Sequence, residues 1–260
     1  MAELASLWIG DRLGPIEIAS ARSFLRHGDR LTLYVMQNVV NAPKGVTVRD
    51  AREIFDPGRI ILHRKSGSPA LHSDLFRYAL MQRTDSIWVD LDVIALRSFD
   101  AAGDWVFGFE SNDSVNCAVL RIPRESKTLK GLLKITPDTV GFPPGLSRFR
   151  RIKYKLKSAG RGLPIERWPW GSVGPALLTR HLRETGEIVH ALPPSAFYPV
   201  PYTDAGLLLI PDAITPESLP DDAWAVHLWA SKLRKIRDAE HGGKVPPGSY
   251  LAQVIQDTSS

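Results

Sequence analysis

The sequence predicts an α/β protein with a mixed, mostly parallel sheet and flanking helices, and three observations point there. The chain opens as a βαβ unit: an apolar strand over 4–9, a helix from Pro15 to Arg26 stopped by Gly28, and a second strand over 30–36. Strands joined through a helix lie parallel in one sheet, so this start sets the class. A second helix-to-strand passage occupies 72–95. Further strand-like runs at 105–110, 115–122 and 223–228 alternate with helical stretches at 126–135 and 172–184.

Taken in order, Trp8-Ile9-Gly10-Asp11 falls at the carboxyl end of the first strand, where a nucleotide can lie in an open α/β sheet. Trp8 is there either a core aromatic or a platform for a base. A short strand over 46–48 leads to Asp50, a candidate cap for a brief helix to Phe55, and 60–63 reads as another short strand. The loop Lys65-Ser66-Gly67-Ser68-Pro69 feeds a helix with Ser73 as candidate N-cap and with Leu75, Tyr78, Ala79 and Gln82 near helical spacing. Asp74 and Arg77 share one face of it. As a surface pair they are worth only about 0.2–0.5 kcal/mol; the other reading has both facing a substrate crevice and gripping sugar hydroxyls.

The next strand, Ile87-Trp88-Val89, runs into Asp90-Leu91-Asp92. Its period of two points both carboxylates one way, at the carboxyl end of a buried strand. Either they start a turn or they hold a hard divalent cation, Mn²⁺ or Mg²⁺, which takes one or two carboxylates plus substrate phosphates. Asn116 lies on a later strand, as a satisfied core residue or a substrate contact.

From Pro137 the composition shifts. Pro143 and Pro144 lead into Arg148, Arg150, Arg151, Lys153, Lys155, Lys157 and Arg161, interleaved with Phe149, Ile152, Tyr154 and Leu156. This is either a solvated face or a basic amphipathic element for an anionic membrane or an acidic acceptor. Residues 137–170 are therefore expected to form a variable basic subdomain within a single catalytic domain over 1–240. Gly174-Pro175 starts the helix at 172–184, either as a packing cap or with backbone N–H groups beside substrate oxygens, and Gly186 lies beyond its end. Residues 193–220 read as loops with one apolar run, 207–210. The last strand delivers His227 and Trp229 to one side. His227 is a hydrogen-bonded structural residue or, if the strand ends in the crevice, a metal or phosphate partner. Lys232 and its neighbours add cations near a departing diphosphate. Residues 241–260 are expected to be a loose tail, with at most a turn or two of helix within 250–255.

Several of these stretches carry a resemblance. Ser73-Asp74-Leu75-Phe76-Arg77-Tyr78 followed by Trp88-Val89-Asp90-Leu91-Asp92-Val93 resembles the signature of glycosyltransferases whose sugar-binding region contains an Asp-x-Asp motif. That group comprises yeast-type mannosyltransferases, α-1,4-galactosyltransferases and bacterial capsule enzymes. Leu7-Trp8-Ile9-Gly10 is similar to the family's opening strand, Gly174-Pro175-Ala176-Leu177-Leu178-Thr179 to its Gly-Pro-x-Leu-Leu-Thr segment, and Val226-His227-Leu228-Trp229 to its His-x-Trp segment. The likeness spans residues 7 to about 232. Where many relatives have Gly-Gly before the Asp-x-Asp strand, this chain has Asp85-Ser86, which alters the approach turn.

The resemblance implies a Rossmann-like nucleotide-diphospho-sugar transferase fold of the GT-A type. It implies catalytic roles for Asp74, Arg77, Asp90 and Asp92 and a metal held by Asp90, Asp92 and His227. It also implies substrate contacts from Trp8, Ile9, Gly10, Ser73, Asn116, Gly174, Trp229 and Lys232. The partners would be a nucleotide-sugar donor and a saccharide or glycolipid acceptor, without nucleic acid.

Composition is consistent with such an enzyme. At 260 residues and 43% apolar, the chain can bury a sizeable core. Its net charge of +5 favours anionic partners. The single cysteine, Cys117, excludes an internal disulfide or a multi-cysteine zinc site, fits a reducing compartment and suits a small buried hydrophobe. With no signal-like start and no run of ~18 apolar residues, the expectation is a bacterial cytoplasmic enzyme, peripheral at the inner membrane if it docks there.

The expected activity is metal-dependent transfer of a hexose from a UDP-sugar, with retention, in surface polysaccharide synthesis. Two rivals remain. Haloacid dehalogenase-type phosphatases also carry Asp-x-Asp after an apolar strand, with the first Asp as nucleophile, but normally on the domain's first strand. A non-catalytic sugar-nucleotide or glycan-binding protein on the same scaffold would bind donor without turnover.

Overall fold

A computed structural model describes residues 1–144 and 146–257. In chain order the elements are β1 (Glu3–Trp8), α1 (Pro15–Arg26), β2 (Arg30–Val35), β3 (Thr47–Asp50), α2 (Ala70–Arg83), β4 (Ile87–Val89), β5 (Val93–Ala95), β6 (Val106–Ser111) and β7 (Ser114–Arg121). They continue with α3 (Lys127–Leu132), β8 (Val140–Gly141), α4 (Arg148–Lys157), β9 (Leu163–Pro164), α5 (Pro175–Thr185), β10 (Ala225–His227), α6 (Ala230–Glu240) and α7 (Tyr250–Asp257).

The central sheet has the order β3-β2-β1-β4-β7-β6. β3, β2, β1 and β4 are parallel, and β7 and β6 close one side antiparallel, so the expected mixed, mostly parallel sheet is what forms. After β1 the chain steps outward to β2 and β3, then returns to place β4 on the other side of β1. The strand order reverses between β1 and β4, and a crevice opens beyond their carboxyl ends. Trp8 ends β1 and Asp90 comes directly after β4, so both stand at that crevice.

Strand periodicity divides the interior in two. Leu4, Leu31, Leu33, Ile87 and Val89 face a core shared with Phe24 of α1, Leu233 of α6 and Leu251 of α7. Ala5, Tyr34, Trp88 and Cys117 face a second core with Phe76 of α2, Leu129 of α3 and Leu178 of α5. Each sheet face is thus covered by helices, which is why the central strands read as nearly continuous apolar runs. Cys117 is buried in that second core, and burial pushes its thiol pKa up.

Four expectations change. Residues 60–63 form no strand: Ile61 N–H donates to His72 Nδ1 at 3.3 Å and His63 N–H to Ser68 O at 2.9 Å, closing a turn instead of a ladder. α2 starts at Ala70 with Pro69 as its N-cap, and Ser68 Oγ accepts from Ala70 N–H at 3.2 Å, so Ser73 lies inside the helix. The cationic stretch after Trp229 is helix α6, held to the core by Ala230 and Leu233. The tail is not loose over 250–257, because α7 buries Tyr250, Leu251 and Ala252 and packs against α1. The end of that tail, 258–260, lies outside the described residues.

Candidate active site

The crevice floor is built where β4 turns into β5. Val93 N–H donates back to Asp90 O at 3.2 Å, so Asp90-Leu91-Asp92 is a tight turn and not an extension of the strand. The period-of-two argument for the two aspartates is therefore replaced by a turn. Two α1 serines hold the backbone of β5: Ser20 Oγ donates to Val93 O at 2.7 Å and Ser23 Oγ accepts from Ala95 N–H at 2.9 Å. β5 then pairs antiparallel with β10, with His227 opposite Val93. A residue 135 positions away in sequence is thereby brought against Asp92.

Each carboxylate is oriented by its own donors. Asp92 Oδ1 lies 3.1 Å from His227 Nε2, and its Oδ2 accepts from Ala230 N–H at the start of α6 at 2.9 Å. That amide is available because Trp229 adopts a left-handed backbone, φ 54°, a strain of about 1–3 kcal/mol for a non-glycine. Trp229 is pinned there by its indole N–H on Val200 O at 2.9 Å and an edge contact with His227, with ring centroids 4.1 Å apart. Asp90 Oδ1 accepts from the Trp88 indole at 2.7 Å and from Arg77 Nη2 at 3.2 Å. Arg77 is buried and turned inward: it also donates to Cys117 O at 2.6 Å and Ser73 Oγ at 3.2 Å, pairs with Asp74 at 3.6 Å and lies over the Trp88 ring. Ser73 thus helps position Arg77 and is not an N-cap. Arg77 orients Asp90 more than it faces open space.

The charges differ along this floor. Burial pushes the Asp90 carboxyl up; Arg77 offsets part of this, while the charge of Asp92 adds to it. Asp92 is also desolvated, yet the His227 imidazole, the Ala230 amide and Arg234 outweigh burial and hold its pKa below the ordinary range. Burial would lower His227, but Asp92 reverses the sign and raises it. Asp74 is pushed by burial to about 6, with Arg77 pulling down and Asp90 pushing up.

Asp90, Asp92 and His227 each offer one ligand atom, and those atoms all lie within 4.8 Å of one another. His227 Nδ1 is buried without a partner among the described residues. Two carboxylates and an imidazole are a donor set that fits Mn²⁺ or Mg²⁺.

Above this floor is a cavity of about 800 Å³ lined by Trp8, Ser73, Asp74, Arg77, Asn116 and Trp229, among others. The remaining expected contacts sit elsewhere. Ile9 packs against the second core. Gly10 backs the Trp8 indole, where a Cβ would come within 3.0 Å of Nε1. Gly174 stands behind Asp74, so closely that a Cβ would lie 2.6 Å from its Oδ1. Lys232 does not line the cavity; its ammonium is taken up by Thr203 O at 2.9 Å and by Tyr202 O, on the loop that does.

Sequence reasoning missed Glu17, Glu110 and Trp170, and named Arg234 only as a neighbour of Lys232. Arg234, two residues past Lys232, lines the cavity and pairs with the buried Glu17 of α1. Glu110 accepts from Asn116 Nδ2 at 2.6 Å and Ser114 Oγ at 2.8 Å, fixing the Asn116 amide at the cavity wall. Glu17 had one signal, a carboxylate on the apolar face of α1.

No family model matches the chain. Curated sequences do. The lactosylceramide 4-alpha-galactosyltransferase of Pongo pygmaeus is 29% identical over 179 residues, covering 64% of this chain and 69% of that protein. Its Homo sapiens counterpart is 29% identical over the same share of this chain but 43% of its own length, and that of Mus musculus is 29% identical over 206 residues, 74% of this chain and 47% of its own. The chain thus spans less than half the length of the human and mouse proteins. Among solved structures, galactosyltransferase LgtC in complex with donor and acceptor sugar analogues overlays with a TM-score of 0.47 at 10% identity, over 99% of this chain and 96% of that one. The PaToxG glycosyltransferase overlays with a TM-score of 0.45 at 12% identity, over 98% and 82%. These sequence matches are to glycosyltransferases, at 29% identity over about two thirds of this chain.

Proposed function

We propose that the protein transfers a hexose, galactose being the first candidate, from a UDP-sugar to a hydroxyl of a saccharide or glycolipid, with retention and in surface polysaccharide synthesis. The observation that carries this is the cluster Asp90, Asp92 and His227, with ligand atoms within 4.8 Å, on the floor of a cavity shared with Trp8, Asp74 and Arg77. A sugar nucleotide needs those elements together: a diphosphate site, a sugar site and an aromatic for the base. The names of the matched relatives supply the sugar.

In this reading Asp90, Asp92 and His227 hold a Mn²⁺ or Mg²⁺, which when bound supplies Lewis-acid stabilisation of charge on the departing diphosphate. Arg77 fixes the Asp90 carboxylate. Asp74, with Asn116 set by Glu110, orients the sugar hydroxyls. Trp8, whose indole N–H is buried without a partner among the described residues, stacks on the base. Arg234, not Lys232, is the α6 cation placed to meet the diphosphate. The two cavity glutamates, Glu17 and Glu110, are engaged by Arg234 and by Asn116 with Ser114, so front-face attack on the sugar is the proposed course. A trapped glycosyl-enzyme would overturn it.

Release of UDP from a panel of UDP-sugars with Mn²⁺, with and without chelator, tests the reading. Chelator-sensitive release from one donor, lost in Asp92→Asn, is the expected result. Donor bound without turnover would leave a sugar-nucleotide-binding protein. No use of any UDP-sugar sinks the UDP assignment.

A further inference from the structure

We propose that α4 docks the protein on an anionic lipid bilayer, laying a stripe of Phe149, Ile152 and Leu156 into the headgroup boundary. α4 is set apart from every other α-helix of the chain: it buries no residue at all, whereas each of the others contributes side chains to the interior. Its three large apolar side chains are exposed by 87% (Phe149), 56% (Ile152) and 79% (Leu156). At 3.6 residues per turn they fall within about 60° of arc, so they form one ridge and not three scattered contacts. Tyr154 projects from the opposite side and is half-buried, which turns the ridge outward.

The charge around the ridge is of one sign. Arg148 and Lys153 stand nearest it, Lys155 and Lys157 lie further round, and Arg150 and Arg151 lie toward the Tyr154 side; no acidic residue lies in the helix, and no salt bridge among the described residues engages any of the six. Several arginines elsewhere are paired, as in Arg180 with Glu184 and Arg237 with Asp238, so what sets α4 apart is the concentration of unpaired cations around one apolar ridge. A solvated face accounts for the cations but leaves the ridge unexplained. An acidic protein or glycan would likewise meet the cations and leave Phe149, Ile152 and Leu156 in water. The boundary of an anionic bilayer accommodates both, with phosphates beside the cations and acyl chains beneath the ridge.

The mount of this helix is tied to the cleft. α4 is carried between β8 and β9, which pair with each other; Ile165 N–H reaches back to Thr139 O at 3.2 Å, and the Trp168 indole donates to Leu163 O at 2.9 Å. Ile165 and Trp168, together with the exposed Trp170, line the cavity. A bilayer under α4 therefore stands next to the cavity wall, which suits an acceptor carried on a lipid; this last consequence rests on the transferase reading, whereas the docking does not.

Vesicle flotation of the full chain separates the two. Vesicles of phosphatidylcholine alone are compared with vesicles containing phosphatidylglycerol, at low and raised salt. Binding to the anionic vesicles only, weakened by salt, is expected. The F149S/I152S/L156S triple variant and an R148Q/K153Q/K155Q variant are each expected to lose roughly tenfold or more in partitioning. Both changes are on the surface, so circular dichroism and UDP release from the donor are expected to match wild type. Binding that ignores the anionic lipid overturns the proposal. Anionic binding that survives the apolar triple variant also overturns it, and points to an acidic macromolecule instead. Loss of UDP release with retained vesicle binding would strike the transferase reading alone.

Discussion

The floor of the cleft and helix α4 are opposite solutions to carrying charge. On the floor, Arg77, Asp74 and His227 are buried and Asp90 and Asp92 half-buried, and nearly every polar atom has a partner inside the protein: Arg77 alone meets Asp90, Asp74, Ser73 and Cys117 O. On α4, six cations stand in solvent with no ionic partner and hold nothing in place. Buried charges are costly unless paired, so those of the floor depend on one another and fix a single geometry. Exposed charges are screened and independent, so those of α4 are available to a partner from outside. Position, not residue type, separates charges that fix one another from charges left to solvent.

Substitutions on the floor are expected to be severe. Asp92→Asn keeps the shape but removes the charge that holds the His227 proton and completes the ligand cluster, and should lower turnover by roughly 10²–10³-fold, read as UDP release. Its melting temperature should stay near wild type, since the amide oxygen can still accept from Ala230 N–H. Arg77→Ala should act on the fold instead, costing about 3 kcal/mol in chemical denaturation, because it strands Asp90 and Cys117 O without their donor. Gly174→Ala offers a finer probe. Its Cβ would sit 2.6 Å from Asp74 Oδ1 on a backbone (φ −77°, ψ −114°) that side chains disfavour, so Asp74 must move, and the expected result is turnover lowered roughly tenfold with a stability loss of about 1–3 kcal/mol.

A third region sharpens the contrast. Glu187 accepts from Ser126 Oγ, Lys127 N–H and Thr128 N–H at the start of α3, and although burial opposes it these donors lower its carboxyl from 4.5 to about 2. Burial lowers His72 from 6.5 to about 4. In both cases the unfolded chain takes up the proton first as pH falls. His72 should therefore erode stability between pH 6.5 and 4, and Glu187 between 4.5 and 2. Asp74, whose folded carboxyl is raised to about 6, takes up its proton before the unfolded chain and offsets His72 over much of that range, so a melting-temperature profile should stay shallow down to about 4.5 and fall below it, and Glu187→Gln, at a cost of about 1 kcal/mol near neutrality, should flatten that lower limb. At the other extreme, the α4 substitutions should change stability by less than about 0.5 kcal/mol, because nothing there is packed.

The order of strands and helices was legible because periodicity is local: Pro15 and Gly28 bracket α1, and Ile87-Trp88-Val89 could only be buried. Asp90 and Asp92 were legible for the same reason, although the turn that joins them depends on Val93 and on Ser20 of a distant helix. His227 gained its meaning only from the resemblance, since nothing local says that β10 pairs with β5. The inward turn of Arg77 was not legible at all. Spacing puts it beside Asp74 but cannot say that the Trp88 face and Cys117 O wait on one side. Lys232 and Arg234 read alike as cations of one stretch, because the phase of α6 is set by the left-handed backbone of Trp229, which sequence does not reveal.

The most direct test of the cleft is titration of Mn²⁺ into the wild type and Asp92→Asn, followed by electron paramagnetic resonance, with and without UDP. The expected result is a bound Mn²⁺ in the wild type that tightens with UDP, and a loss of roughly 10–100-fold in metal affinity in the variant together with weakened UDP binding. Equal Mn²⁺ and UDP affinities in both proteins would contradict the assignment of Asp90, Asp92 and His227 as the centre that meets the donor's diphosphate.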